Sequence, residues 1–177
     1  GRLRSVLDIV AIERQQGPVA LVVSAFGDTT DLLIEIADLA KNGRESEALE
    51  LIGRVLSVAR AAVVGALDLD DRAANGLDDL LSQHSAPLAR IVHAIAELRD
   101  ISAATRDLVL SFGERISSSV VAAALRLEGL PATAVDARTW AVTDARHGDA
   151  TVLWGPTFEK VQQAKTSWFD QGNIPVH

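Results

Sequence analysis

The sequence predicts an α/β sandwich with a mostly parallel sheet and a helical insertion, and three observations carry that reading. A short apolar, β-rich run, Leu21, Val22 and Val23, is bounded by Gly17 and Gly27 and passes directly into a helical pattern. Extended segments return only late, at 131–136 and from Ile174 onward, with helical periodicity filling the interval. The 177 residues are 48% hydrophobic, enough to bury one real core, so a single domain or the greater part of one is expected.

Composition narrows the classes of partner. A net charge of −7 argues against a nucleic-acid or anionic-membrane footprint. There is no cysteine, which excludes disulfides and thiolate metal sites and is compatible with a reducing cytoplasm. No apolar run approaches the ~20 residues of a membrane span, and no leader pattern is visible. The four histidines, His84, His93, His147 and His177, lack ligand spacing, so no metal site is predicted. The chain has no methionine, Gly1 leads straight into a helical pattern, and Ile174 to His177 reads as the start of a strand. The expectation is an internal piece of a longer polypeptide, truncated at both ends.

In chain order, Leu3, Val6, Leu7 and Val10 predict an amphipathic helix over 2–15, closed by Gln16-Gly17-Pro18. Residues 20–26 read as a buried strand. Thr29, Thr30 and Asp31 are helix-capping residue types, and Leu32, Leu33, Ile36 and Leu39 place one apolar face behind them, giving a helix over 30–40 that Asn42-Gly43 ends. A long helix follows over 44–67, with Ala48, Leu51, Ile52, Val55, Leu56 and Ala59 on one side. A charged turn over 68–75 comes next, then two short helices, 77–82 and 87–98, separated at His84-Ser85-Ala86-Pro87. Segment 42–100 is thus read as a helical insertion. Residues 102–110 read as a helix or a strand lead-in, 111–127 as a long helix closing at Gly129, 131–136 as a strand and 140–143 as a short one. A polar loop over 143–150, an extended piece over 151–154, a Gly155-Pro156 turn, a helix over 158–169 and the strand from Ile174 complete the order.

Two stretches carry chemistry. A strand that stops at a glycine and hands over to a helix start leaves free N–H groups at the carboxyl edge of the sheet, where α/β proteins bind anionic ligands. In the second stretch, Ser111 and Glu114 stand at capping-box spacing, which is the structural explanation of that glutamate. The functional one presents its carboxylate to a substrate ammonium group beside Gly113, a glycine that permits close approach. Asp68, Asp70 and Asp71 lack the glycine and glutamate of a calcium loop and read as a solvated turn. His93, between Ile91 and Ile95, reads as a packed structural histidine.

Four blocks, VVSAFGDTTDLL (22–33), SFGERISSSVVAAAL (111–125), GLPATAVDAR (129–138) and VTDARHGDATV (142–152), occur in the order found in aspartokinases. With them the sequence resembles the amino-terminal catalytic domain of that branch of the amino acid kinase family. The resemblance implies transfer of the ATP γ-phosphate, with Mg2+, to the β-carboxylate of L-aspartate, on the route to lysine, threonine and methionine. It also implies an amino-acid-kinase-like sandwich and a cytoplasmic homo-oligomer as the full protein. It assigns Ser24 and Thr30 to the aspartate pocket, Glu114 to the substrate ammonium, and Thr143 and Asp144 to an active-site loop in which His147 replaces a frequent aromatic. The family's KFGG-, GFIG- and RGGSD-type segments do not occur in these residues, so the isolated chain is expected to be inactive. Two alternatives stand beside this reading: another amino acid kinase, acting on glutamate or carbamate, and a non-catalytic interaction module.

Overall fold

The computed structural model describes residues 2–177; Gly1 lies outside them. Helix α1 (Arg2–Glu13) buries Leu3, Leu7 and Val10, the stripe its periodicity predicts. An extended segment over 18–26 leads to α2 (Thr29–Lys41), and Gly43, at φ +74°, turns the chain into α3 (Glu45–Val64). Then come α4 (Asp71–Leu98), α5 (Ala103–Leu110), α6 (Phe112–Leu127), β1 (Ala132–Ala134), α7 (Trp154–Trp168) and β2 (Ile174–Val176).

The sheet is parallel, as expected, but short. β1 pairs with β2 in the register Ala132↔Ile174, Thr133↔Pro175 and Ala134↔Val176. On the other side of β2 runs the 18–26 segment. Leu21 N–H donates to Pro175 O at 2.9 Å, His177 N–H to Leu21 O at 2.8 Å, and Val23 N–H to His177 O at 2.8 Å. The expected buried strand over 20–26 is therefore an edge segment with one bridge, Leu21↔Val176. Two physical causes account for the difference. The next rung toward the N-terminus would need a donor from residue 175, which is proline. Leu21 and Val23 face the core, whereas the alternate position, Val22, is 80% exposed.

Helix α6 lies between the sheet and the other helices, touching α1 to α5 on its flanks and both strands. Phe112, Ile116, Val120, Val121, Ala124 and Leu125 on α6 meet Leu33 and Ile36 of α2, Val55 of α3, Val92 of α4, and Ile174 and Val176 of β2 in one core. Residues Ala103–Leu127 make a 25-residue helical run apolar enough to cross a membrane by length and composition, yet 61% of its most apolar window is buried within the protein. Its apolarity matches its place at the centre of the core.

Five local expectations are corrected. The two short helices at 77–82 and 87–98 are one helix, α4, with Pro87 inside it. Leu77, Leu81, Leu88, Val92 and Ile95 are all buried, and their spacing runs through Pro87 without a phase change, so core burial on both sides outweighs the missing N–H. The charged turn ends at Asp70, whose side chain accepts from Ala73 N–H at 2.8 Å and caps α4. Gly155 and Pro156 are the second and third residues of α7 rather than a turn before it, because a first-turn proline has no intrahelical bond to lose. The 140–143 strand reduces to a single antiparallel bridge, Thr143↔Val152. His93 is exposed rather than packed: it reaches across from α4 to Glu45 of α3, Nδ1 to Oε1 at 3.0 Å, and that bond raises its pKa.

Candidate functional site

The extended segment ends at Gly27, whose φ of +50° makes the turn into α2. Asp28 occupies the cap position without a side-chain cap bond. Thr29 N–H donates to Phe26 O at 2.9 Å and Leu32 N–H to Asp28 O at 3.0 Å. The N–H groups of Thr30 and Asp31 have no acceptor among the described residues, the first-turn condition that suits a negatively charged or polar ligand. Ser24 and Thr30 are exposed at this corner, whereas Thr29 is buried at 2%.

Against the same corner stands the start of α6. A Cβ on Gly113 would lie 3.0 Å from Ala25 Cβ, 3.4 Å from Leu33 Cδ1 and 3.7 Å from Thr29 Cγ2. The glycine thus lets α6 press onto the end of the extended segment and the first turn of α2 together. Glu114 follows it directly, so Ser24, Thr30 and Glu114 flank a single contact made by their chain neighbours.

The capping box expected at Ser111 and Glu114 does not form. Ser111 has helical angles, φ −59° and ψ −16°, and its hydroxyl donates back to Leu108 O at 2.7 Å. A cap residue needs non-helical angles, which Ser111, the turn residue between α5 and α6, does not have. Glu114 is left exposed, with no hydrogen-bond or ion-pair partner among the described residues.

On the next position of α6, Arg115 stacks over Phe112 at 4.3 Å and approaches Asp136 at 3.6 Å. Asp136, just past β1, is gripped by Arg138, whose side chain and backbone bonds hold its carboxyl below the usual range. Burial, then the charge of Arg138, lower the pKa of Arg115. The sequence reading missed this ion cluster; the Asp-Ala-Arg spacing just after a strand was its one signal. His84 on α4 meets Ser119 of α6, Nε2 to Oγ at 3.0 Å, and burial pushes its pKa down. His177, beside the extended segment, accepts from Trp140 Nε1 at 3.1 Å and packs edge-on to Trp140 and Trp168.

Thr143 and Asp144 lie on a hairpin whose described contacts run to α5 and α7 rather than to Ser24 or Thr30. Asp144 N–H donates to Thr151 O at 3.0 Å and Leu153 N–H to Val142 O at 2.8 Å. The Asp144 carboxylate accepts from Thr151 N–H and from Arg146, bonds that lower its pKa and tie it into the loop. Thr143 is exposed beside its bridge to Val152.

A family model described as the amino acid kinase family matches residues 1–177. The chain belongs to the amino acid kinase family. Among curated amino acid kinases it is 28% identical over 141 residues to "Aspartokinase 1, chloroplastic" of Arabidopsis thaliana, covering 77% of this chain and 23% of that one. It is 27% identical over 177 residues to the same plant's bifunctional aspartokinase/homoserine dehydrogenase 1, covering 99% of this chain and 18% of the relative. Two solved structures of E. coli aspartokinase III share the fold, each covered over 98% of this chain and 36% of theirs. The complex with lysine and aspartate (T-state) aligns at TM-score 0.78 and 22% identity. The complex with aspartate and ADP (R-state) aligns at 0.71 and 23% identity. The chain thus spans less than a quarter of its curated relatives and about a third of the solved ones, and its α/β architecture is a part of the aspartokinase amino acid kinase fold.

The described residues bring together no group of three His, Asp or Glu side chains able to hold a metal ion. The three lysines are Lys41, at the far end of α2 from the candidate corner, and Lys160 and Lys165, on α7.

Proposed function

We propose that residues 1–177 are the aspartate-binding part of an aspartate kinase, with segment 42–100 as a helical insertion in its amino-terminal lobe. In the whole enzyme the reaction is transfer of the ATP γ-phosphate to the β-carboxylate of L-aspartate, in the biosynthesis of lysine, threonine and methionine. Glu114 pairs with the substrate α-ammonium, while Ser24, Thr30 and the free first-turn N–H groups of α2 take its polar and anionic atoms. The observation that supports the reading is the tight seat of Gly113, where an added Cβ would lie 3.0 Å from Ala25 Cβ, next in the chain to an unpartnered Glu114. Phosphoryl transfer depends on positioning and charge neutralisation, and this chain's share is to hold the acceptor. The chain alone is therefore expected to bind aspartate weakly and to turn over no ATP. The full protein is expected to be a cytoplasmic homo-oligomer.

Calorimetric titration of L-aspartate into the chain tests the assignment. Saturable binding that weakens roughly 10- to 100-fold in Glu114→Ala, with the helical circular-dichroism spectrum unchanged, is the expected result. Binding unaltered in that variant would remove Glu114 from the site.

A further inference from the structure

The first turn of α6 is held on two sides. Successive helical residues are about 100° apart, so Gly113, Glu114 and Arg115 project at roughly 0°, 100° and 200° around the axis. Gly113 is pressed onto Ala25, Leu33 and Thr29. On the nearly opposite side, the Arg115 guanidinium lies 4.3 Å from the centre of the Phe112 ring, and its Nε stands 3.6 Å from Asp136 Oδ2, just past β1. Glu114 projects from the side between these two contacts.

Asp136 is itself fixed. Arg138 Nε reaches its two carboxylate oxygens at 2.9 and 3.1 Å, and Arg138 N–H donates to Oδ1 at 3.0 Å. These bonds lower its pKa, so the carboxyl is ionised at neutral pH. Arg115 depends on that charge. Its side chain is 23% exposed and makes no hydrogen bond to another side chain among the described residues, so the Phe112 ring and the Asp136 carboxylate are what offset its lost hydration. At 3.6 Å the pair is held by charge rather than by a hydrogen bond. Without the carboxylate, Arg115 and Arg138 would face each other as like charges.

We propose that Arg115 and Asp136 are positioning residues for the bound amino acid: their charge pair sets the roll of the first turn of α6, and with it the direction in which Glu114 presents its carboxylate. The proposal rests on the reading of Glu114 given above. With a helix about 10–12 Å across, the carboxylate stands roughly 6 Å from the axis, and a roll of about 10° moves it by about 1 Å. That is about twice the error of roughly 0.5 Å that a binding constellation tolerates. Phe112 and Ile116, each 1% exposed, keep α6 docked when the pair is lost, so affinity responds more than stability.

The test is a double-mutant cycle read by calorimetric titration of L-aspartate into the chain, with thermal melts alongside. Asp136→Asn keeps the size of the side chain and removes its charge. Its affinity should fall about five- to tenfold, with Tm within a few degrees of the wild type, and Arg115→Lys, which keeps the charge and loses the stacking, should fall less. In a Glu114→Ala background neither substitution should weaken binding further, because the effect passes through the missing carboxylate. A loss in the Asp136→Asn/Glu114→Ala protein equal to the product of the two single losses would overturn the positioning role while leaving Glu114 in the site. Wild-type affinity in a folded Asp136→Asn protein would overturn it too. Should Asp136→Asn fail to fold, the same cycle with Arg115→Lys decides. A wild-type chain that binds no aspartate would overturn the reading of Glu114 and this proposal together.

Discussion

Gly113→Ala separates site geometry from stability. The added Cβ would sit 3.0 Å from Ala25 Cβ, whereas carbon atoms rest about 3.5–4.0 Å apart, so the two elements must part by roughly half an ångström. Ala25 is bonded to a backbone held beside β2 and cannot swing aside as a long side chain would. Overpacking of this kind destabilises by about 1–3 kcal/mol, while replacing a helical glycine by alanine returns up to about 1 kcal/mol. The net change is about 0–3 kcal/mol, a fall in Tm of at most about 12 °C in a domain of this size. Binding should suffer more clearly. A functional constellation tolerates about 0.5 Å of error, so displacing the Ser24 end of the segment from Glu114 should weaken aspartate binding about tenfold. Gly76→Ala is the control: it lies on α4 with nothing within 4 Å of an added Cβ, and it should stabilise modestly without touching affinity. Thermal melts and calorimetric titration of the two variants decide the matter. A folded Gly113→Ala protein with wild-type affinity would show that this close approach does not shape the site.

Asp70→Ala should cost about 1 kcal/mol in urea denaturation, because it removes the side-chain acceptor for Ala73 N–H at the start of α4. Two histidines should tilt the pH dependence of stability in opposite directions. His93 has its pKa raised above 6.5 by Glu45, so its contribution is complete below about 6.5 and is lost as pH rises through the raised folded value. Glu45→Gln should abolish that loss in a series of denaturation midpoints from pH 5 to 8. His84 has its pKa lowered from 6.5 by burial, so the unfolded chain takes up the proton first and stability falls as pH drops below about 6.5. His84→Gln should remove the acid-side fall; an unchanged slope would show that His84 is as solvated folded as unfolded.

What the sequence discloses and what it hides divide along the range of the interactions. The buried stripes of α1, α2 and α3 were legible because they repeat every three or four residues and need no distant partner. The extent of the 20–26 strand was hidden because it depends on Pro175, more than a hundred residues away in sequence, which denies the ladder a rung. Pro87 misled in the opposite way: a local breaker was overruled by a core stripe that keeps its phase on both sides. At the candidate site, the sequence offered two separate signals, a strand giving way to a helix and a glycine before a glutamate. It could not say that the glycine of one touches the alanine of the other. That contact, and the helical angles of Ser111 that deprive Glu114 of a capping role, turn two local motifs into one corner. Glu114 is free of a cap bond because Ser111 has helical angles and turns its hydroxyl back to Leu108 O.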